Sequence, residues 1–458
     1  MFYRFLKIIV RVAAGIYYRR IQVKGLENIP LNRPVLFTSN HPNAFMDAIV
    51  LTLFFPRRTY SLARSDVFDK AFKRKIMEYF RIMPIYRIQD GADQLHKNTE
   101  IFEKCHSLLN KKDAILIFPE GICVQERRLR KLRKGLARIA FGSMEVADFK
   151  MDLCIVPVGI NYTKPAKRGG ELFLNISPPI EVEHYIEQYK QDKVRAINKL
   201  TADVEAIMSK LIVVIENPKD DQLVSNLETM VEDQIVLNKN KELNPVENNF
   251  INSCKISSGI SKFKQKDKLA FEEFESKAKN FFSILKKEGY KQELLQENVL
   301  NKNNLGVISL KSLLLLLTFP IFITGFFLNY IPYRLPYILS KKIVKNNIEF
   351  FSSINLTIGT LIFIFYYLLI SVITAIVFSA AFIPLIIIIG SLTGKFALYY
   401  REIFQEVVIT YKMKNNPVLT STLLKDKIWI NETLHYLIKG KAEIQLVSNN
   451  ENKESVQK

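Results

Sequence analysis

Residues 35–47, VLFTSNHPNAFMD, combine a short apolar run with a polar turn that contains a histidine and an aspartate. The run Val35–Ser39 is typical of a buried strand. Pro42 disfavours a helical conformation at the residue before it, so we expect His41 to lie in the turn after the strand. Asp47 is then expected on the helix that follows.

Three further apolar runs have the same character, and they lie at Ile82–Tyr86, Ala114–Phe118 and Cys154–Ile160. The segments between them, such as Asp93–Leu109 and Leu136–Val146, favour helices. Strands that alternate with helices predict an α/β domain, here over residues 21–215, with a mixed sheet flanked by helices.

The pair His41 and Asp47 is a candidate catalytic dyad at the end of the first predicted strand, where sheet proteins tend to place their sites. An aspartate can accept one ring N–H of a histidine and stabilise the imidazolium that forms when the other nitrogen takes a proton. Many His and Asp pairs are incidental, so the dyad needs support from elsewhere in the chain.

That support comes from polar residues that follow two other predicted strands. Glu120 and Gly121 follow the strand at 114–118, where a carboxylate and a tight turn can hold a polar substrate against backbone N–H groups. A dense basic run at 127–135 begins with Arg127 and Arg128, and beside a candidate site it favours a phosphate-binding or membrane-facing role over a solvated face. Arg87 follows the strand at 82–86, and its guanidinium suits bidentate phosphate recognition.

The order and spacing of these motifs between Val23 and Tyr162 resemble the glycerol-phosphate and lysophosphatidate acyltransferase superfamily. The resemblance implies that His41 is the catalytic base and Asp47 its partner. It implies an acceptor and phosphate site formed by Arg87, Glu120, Gly121, Arg127 and Arg128, and an acyl-donor site formed by Asn40 and Pro157. The commonest family motif has four residues between His and Asp, whereas this chain has five, as in some fungal-type glycerol-3-phosphate acyltransferases.

The implied reaction transfers a fatty acyl group from acyl-CoA or acyl carrier protein to a hydroxyl of glycerol-3-phosphate or 1-acylglycerol-3-phosphate. Reacylation of a lysophospholipid or another lysolipid is an alternative acceptor chemistry. A non-catalytic membrane protein that uses the fold to bind lipid is a third hypothesis, which the intact His41, Asp47, Glu120 and Gly121 disfavour. Membrane lipids are expected partners, and the reaction implies no cofactor and no metal.

The formal net charge of +20 requires an anionic partner. Long apolar segments favour a membrane or phosphate-bearing substrates over nucleic acid, since no zinc-finger spacing or unexplained basic stripe is present. The four cysteines have no paired spacing and are interpreted as reduced thiols. Cys123 lies beside the Glu120 motif and is expected to be a bystander.

The remaining segments differ in composition from the predicted α/β domain. Residues 1–20 have apolar positions at helical spacing among basic residues, which favours a helix in the membrane interface over an amphipathic helix that packs on the domain. Residues 216–306 are charged and predict a helical insert or linker. Residues 307–398 hold apolar blocks long enough to span a membrane, and 399–458 form a C-terminal tail. We therefore expect a multi-pass protein of the cell membrane.

The basic residues between the apolar blocks constrain the topology. Arg334, Lys341, Lys342 and Lys345 follow the block Ser312–Pro332, and short basic loops prefer the cytosol. If the catalytic domain faces the cytosol, these residues favour a first block that is re-entrant or interfacial, with a helix break expected at Pro320, and a hairpin over Ile354–Thr393. This hypothesis gives two full crossings, and the alternative is three spans with the tail outside.

Overall fold

A computed structural model describes residues 2–87, 96–233, 244–296 and 304–439. The contacts divide the chain into two units. The first contains residues 1–214 together with 339–360, and the second contains 215–338 and the residues from 361 onward. The predicted domain boundaries stay a prediction, but the grouping of 339–360 with the N-terminal residues was not expected from the sequence.

A mixed sheet forms the centre of the first unit, as the sequence predicts. In the described residues its eight strands are β1 (Arg20–Lys24), β2 (Val35–Ser39), β3 (Thr59–Arg64), β4 (Ile82–Ile85), β5 (Ala114–Ile117), β6 (Cys154–Tyr162), β7 (Glu171–Ile176) and β8 (Ile180–Glu181). Their order is β1-β7-β6-β2-β5-β3-β4, with β8 beside β6. Strands β2 to β6 are mutually parallel, whereas β7 and β8 pair antiparallel with β6.

Helices cover both faces of this sheet. They are α1 (Phe2–Tyr17), α2 (Phe45–Phe54), α3 (Ala71–Tyr79), α4 (Asn98–Asn110), α5 (Gly135–Val146), α6 (Ile186–Gln191) and α7 (Lys193–Leu211). Leu36 of β2 belongs to the core under α4, α5 and α7, while its neighbours Val35 and Phe37 belong to the core under α1 and α2. Successive strand residues point to opposite faces, so a strand covered on both sides has the continuous apolar sequence seen at 35–37.

The predicted strands are confirmed within two residues at their ends, and Val35–Ser39 is confirmed without change. The helix predicted at Asp93–Leu109 is observed at Asn98–Asn110, and its predicted first residues, 93–95, lie outside the described residues.

The second unit contains α8 (Asp221–Asp233), α9 (Pro245–Lys266), α10 (Lys268–Glu288) and α14 (Pro417–Lys439). Aromatic side chains of α9 and α10 are buried there, among them Phe263, Phe271, Phe274 and Phe281. The charged segment after residue 216 therefore buries an apolar core of its own. Its acidic and basic residues are spaced so that one face of each helix remains apolar.

Three long apolar helices lie between α10 and α14 in the described residues: α11 (Asn304–Val344), α12 (Phe351–Val377) and α13 (Ile383–Asn415). Each is long and apolar enough to cross a membrane, which indicates that the protein associates with one. The expected break at Pro320 is not observed, because α11 is helical throughout despite Pro320, Pro332 and Pro336. Helices in apolar surroundings tolerate proline when neighbouring groups satisfy the freed carbonyls.

Small and polar residues bring these helices into close contact. A side chain at Gly325 would collide with the backbone of Thr393, so α11 and α13 approach as closely as glycine allows. Asn329 of α11 donates to the Gly390 carbonyl at 2.9 Å and accepts from the Tyr367 hydroxyl of α12 at 2.9 Å. The three helices are thus joined by hydrogen bonds in addition to apolar packing.

Candidate active site

The carboxyl ends of two neighbouring parallel strands, β2 and β5, carry polar residues singled out in the sequence. Strand β2 lies between β5 and β6, and His41 follows β2 directly. The loop after β5 carries Phe118, Glu120 and Gly121 beside it. Parallel strands end at the same edge of a sheet, so residues 80 positions apart in the chain meet there.

His41 and Asp47 form the expected hydrogen-bonded pair, with 2.9 Å between His41 Nδ1 and Asp47 Oδ2. The carboxylate is fully buried, whereas the histidine side chain is 21% exposed. A carboxylate can only accept hydrogen bonds, so Nδ1 carries the proton and Nε2 is the basic nitrogen. The ring of His41 stacks on Phe118 at 4.0 Å between centroids, which holds its plane.

The turn between the two residues explains how a six-residue offset can work. The backbone N–H of Asn43 donates to Asp47 Oδ2 at 2.7 Å, and Asp47 lies in the first turn of α2. Ala44, just before α2, has φ 43° and ψ −129°, a conformation that costs an alanine about 1–3 kcal/mol. Its N–H donates to Cys123 Sγ at 3.0 Å, so the loop after β5 stabilises the strained turn.

Glu120 joins the His41 turn to the basic segment. Its carboxylate accepts the N–H of His41 at 2.9 Å and the N–H of Arg130 at 3.3 Å. Burial raises the pKa of Glu120, and these two hydrogen bonds oppose that rise. Gly121 has φ 71°, the left-handed conformation that lets the chain turn directly after Glu120.

Asn40 and Pro157, the residues assigned to the acyl-donor site by resemblance, are both buried. Asn40 accepts the N–H of Ile160 at 2.8 Å and donates to the Ile160 carbonyl at 3.0 Å. Pro157 lies in β6 opposite Thr38, and its carbonyl accepts the N–H of Ser177. Asn40 thus holds the end of β2 against β6, and this contact fixes where the His41 turn begins.

The acyltransferase family model matches residues 20–161. Glycerol-3-phosphate O-acyltransferase 2 of Saccharomyces cerevisiae (strain ATCC 204508 / S288c) is 30% identical over 149 residues, which are 32% of this chain and 19% of that protein. Residues 20–161 of the chain are thus an acyltransferase domain. The matched part is about a fifth of the yeast relative's length.

One solved structure is also similar to part of this chain. It is the crystal structure of the 1-acyl-sn-glycerophosphate (LPA) acyltransferase PlsC from Thermotoga maritima. It covers 43% of this chain and 79% of its own chain, with 17% identity and a TM-score of 0.29. The family assignment therefore rests on the matched domain and on the yeast relative.

The predicted phosphate-binding arginines of the acyltransferase domain lie in two different places. Arg87 follows β4, the edge strand, three strand spacings or roughly 14 Å from β2. Arg127 and Arg128 lie in the half-buried segment after Gly121, where Arg128 forms an ion pair with Glu126 at 3.4 Å. No group of three His, Cys, Asp or Glu side chains that could hold a metal ion is found among the described residues.

Tyr162 is a site residue that the sequence did not indicate. Its hydroxyl donates to Asp47 Oδ1 at 2.8 Å, so the buried carboxylate accepts three hydrogen bonds in total. Burial, and next the charge of Asp47, raise the pKa of Tyr162 well above its usual value. Tyr18 stacks on the Tyr162 ring at 5.9 Å. In the sequence, Tyr162 could have been recognised only as a polar residue at the carboxyl end of a buried strand, because its partner Asp47 lies 115 positions away.

Residues 348–356, which we call the docking segment, comprise the turn before α12 and the first residues of α12, and they contact the acyltransferase domain within the first unit. Phe350 packs against Phe45 at 5.7 Å, and Leu356 is buried in the core beneath α2. The Pro165 carbonyl accepts hydrogen bonds from Ser352 and from Asn43 of the His41 turn. The surroundings of the dyad therefore include residues that lie 300 positions further along the chain.

Proposed function

We propose that the chain transfers a fatty acyl group from acyl-CoA or acyl carrier protein to a hydroxyl of glycerol-3-phosphate or 1-acylglycerol-3-phosphate. The observation that carries this proposal is the His41–Asp47 pair at 2.9 Å, within residues that match the acyltransferase family. A lipid-binding module would not require a buried carboxylate that fixes the protonation of a partly exposed histidine.

The geometry supports general-base catalysis through His41 Nε2. In the proposed step, this nitrogen removes the proton of the acceptor hydroxyl while the hydroxyl oxygen attacks the thioester carbonyl carbon. A carbon–oxygen bond forms, the carbon–sulfur bond breaks, and the proton held by His41 passes to the departing thiolate. Asp47 stabilises the imidazolium between these two transfers and does not itself take the proton. None of these reaction steps requires a metal or a cofactor.

The acceptor's phosphate is proposed to bind arginine side chains. Arg87, Arg127 and Arg128 are the candidates, because a guanidinium can form two parallel hydrogen bonds with phosphate oxygens. Glu120 and Gly121 would shape the acceptor site by holding the loop after β5 beside His41. Asn40 and Pro157 would act on the donor side by fixing the ends of β2 and β6.

Transfer assays with purified protein in lipid vesicles would test this function. The donors are acyl-CoA and acyl carrier protein, and the acceptors are glycerol-3-phosphate, 1-acylglycerol-3-phosphate and lysophosphatidylcholine. The expected result is transfer to one of the first two, reduced about 10²–10⁴-fold by His41→Ala. Preferred transfer to lysophosphatidylcholine would establish lysolipid reacylation instead, and wild-type rates in His41→Ala would rule out the dyad mechanism.

We also propose that the protein lies in the cell membrane with its acyltransferase domain in the cytosol, where both donors are found. The docking segment contacts that domain, so α11 would end on the domain's side of the membrane. Charged residues recur through 216–303, so α11 would also begin on that side. Because α11 is helical throughout, it would lie along the membrane interface and not re-enter the bilayer. Helices α12 and α13 would then form the two crossings, and the basic residues before the docking segment would face the cytosol.

A further inference from the structure

Helix α3 (Ala71–Tyr79) connects β3 to β4 and has no buried residue among its nine. Phe72 is 75% exposed and Tyr79 is 48% exposed, although both side chains are large and apolar. An isolated helix shorter than about 12 residues is marginal in water, and packing of an apolar face normally stabilises it. Within the part of the chain that the structure describes, the contacts of α3 leave such a face largely exposed.

The exposed apolar side chains of α3 lie on one side of the helix. At about 100° per residue, Phe72, Ile76 and Tyr79 fall within an arc of about 60°. Lys75 lies about 40° beyond one edge of this arc and Lys73 about 60° beyond the other. The helix therefore presents an apolar stripe with a lysine on each side.

We propose that α3 is a membrane-interface helix that contacts an anionic lipid surface. Its apolar stripe would enter the boundary between headgroups and acyl chains, and the two lysines would extend to lipid phosphates. Lys73 is bonded to Asp69 at 2.9 Å, but both side chains are about half exposed, so this pair holds the lysine only weakly. Lys70, Arg74 and Lys75 are also exposed and add positive charge.

Size and charge favour a lipid surface over a protein partner. Nine helical residues extend about 13.5 Å, and three side chains cannot supply the roughly 800 Å² that each partner of a stable complex buries. A bilayer needs no such matched surface, since it accepts any apolar stripe flanked by cations. The three long apolar helices of the same chain also bring a bilayer close.

Tryptophan fluorescence in vesicles would test this contact. The chain has a single tryptophan, Trp429, so Trp429→Phe provides a silent background for the reporter Phe72→Trp. The matched control reporter is Val194→Trp, at a site on α7 that is also well exposed. Full-length protein is reconstituted into vesicles that carry brominated acyl chains, with and without phosphatidylglycerol.

The expected result is a blue-shifted emission from the Phe72→Trp reporter that loses most of its intensity to brominated chains, with little loss for the control. Adding Lys73→Glu and Lys75→Glu should weaken this quenching most in vesicles that contain phosphatidylglycerol. Equal quenching of the two reporters would overturn the proposal. So would a blue shift of the Phe72→Trp emission that needs acyl carrier protein, because that result would identify a protein partner.

Discussion

Replacement of Asp47 by asparagine separates the charge of this residue from its role in orienting His41. Asp47 Oδ2 accepts the Asn43 N–H at 2.7 Å, and a backbone N–H can only donate. The amide oxygen must therefore occupy the Oδ2 position. The amide NH2 then faces the Tyr162 hydroxyl, which can rotate to accept. His41 would keep its proton on Nδ1, and Nε2 would remain the basic nitrogen.

The hydrogen bond from His41 remains but is no longer charge-assisted, so the expected loss of activity is at most what one charge-assisted hydrogen bond contributes. Such a bond contributes about 1.5–3 kcal/mol. Since each 1.36 kcal/mol changes a rate tenfold, Asp47→Asn should lower kcat by about 10- to 150-fold. Asp47→Ala should lower it further, because the N–H of Asn43 and the hydroxyl of Tyr162 would also lose their buried acceptor.

Initial rates of acyl transfer in lipid vesicles would measure these differences, alongside His41→Ala. Asp152→Asn is a matched control, because that carboxylate is 70% exposed. Adding Tyr162→Phe to Asp47→Asn should lower activity again, since the amide NH2 would then face a buried ring without an acceptor. An Asp47→Asn variant as inactive as His41→Ala would contradict the fixed amide orientation, and full activity would show that the charge contributes nothing.

Three further variants test other parts of the structure. Arg87→Ala should raise the KM for the acceptor, because acceptor binding would lose about 1.5–3 kcal/mol. Arg87→Lys should restore part of this binding, and an unchanged KM in both variants would show that Arg87 has only a structural role. Burial raises the pKa of Glu120, so its proton uptake favours the folded state at acid pH, a contribution that is lost as pH rises through the raised pKa. Glu120→Gln removes this contribution, so the Tm of the variant should fall more steeply on acidification than the Tm of the wild type. Parallel profiles of Tm against pH would contradict the raised pKa of Glu120. Cysteines introduced at Lys342 and Arg401 should resist an impermeant thiol reagent added outside the cell, and labelling at both would refute two crossings.

The sequence predicted the strand positions and the dyad because both depend on local patterns. A covered parallel strand is a continuous apolar run, and Pro42 restricts the backbone at His41. Only β2, β4, β5 and β6 were predicted. Strands β1 and β8 were missed, and so were β3 and β7, where polar residues such as Ser61 and Asn175 interrupt the apolar pattern.

Long-range contacts could not be predicted in the same way. The hydrogen bond from Tyr162 to Asp47 depends on β6 lying beside β2. The two hydrogen bonds between Asn40 and Ile160 depend on the same strand pairing. Strand order is set by the packing of the whole domain, and one sequence does not specify which strands become neighbours. The exposed face of α3 was missed for a related reason, since only the structure shows that the described residues of its own domain leave this face largely exposed.

Because the docking segment is synthesised after α11, the acyltransferase domain is completed only late in translation. Leu356 and Ser352 reach the acyltransferase domain only after the long apolar helix α11 has left the ribosome. Until then, the core beneath α2 lacks a side chain and the Pro165 carbonyl lacks one of its donors. A chain that stopped before residue 339 would hold every residue of the dyad in an unfinished domain. Newly made enzyme would thus gain its mature site only once its first apolar helix is available for the membrane.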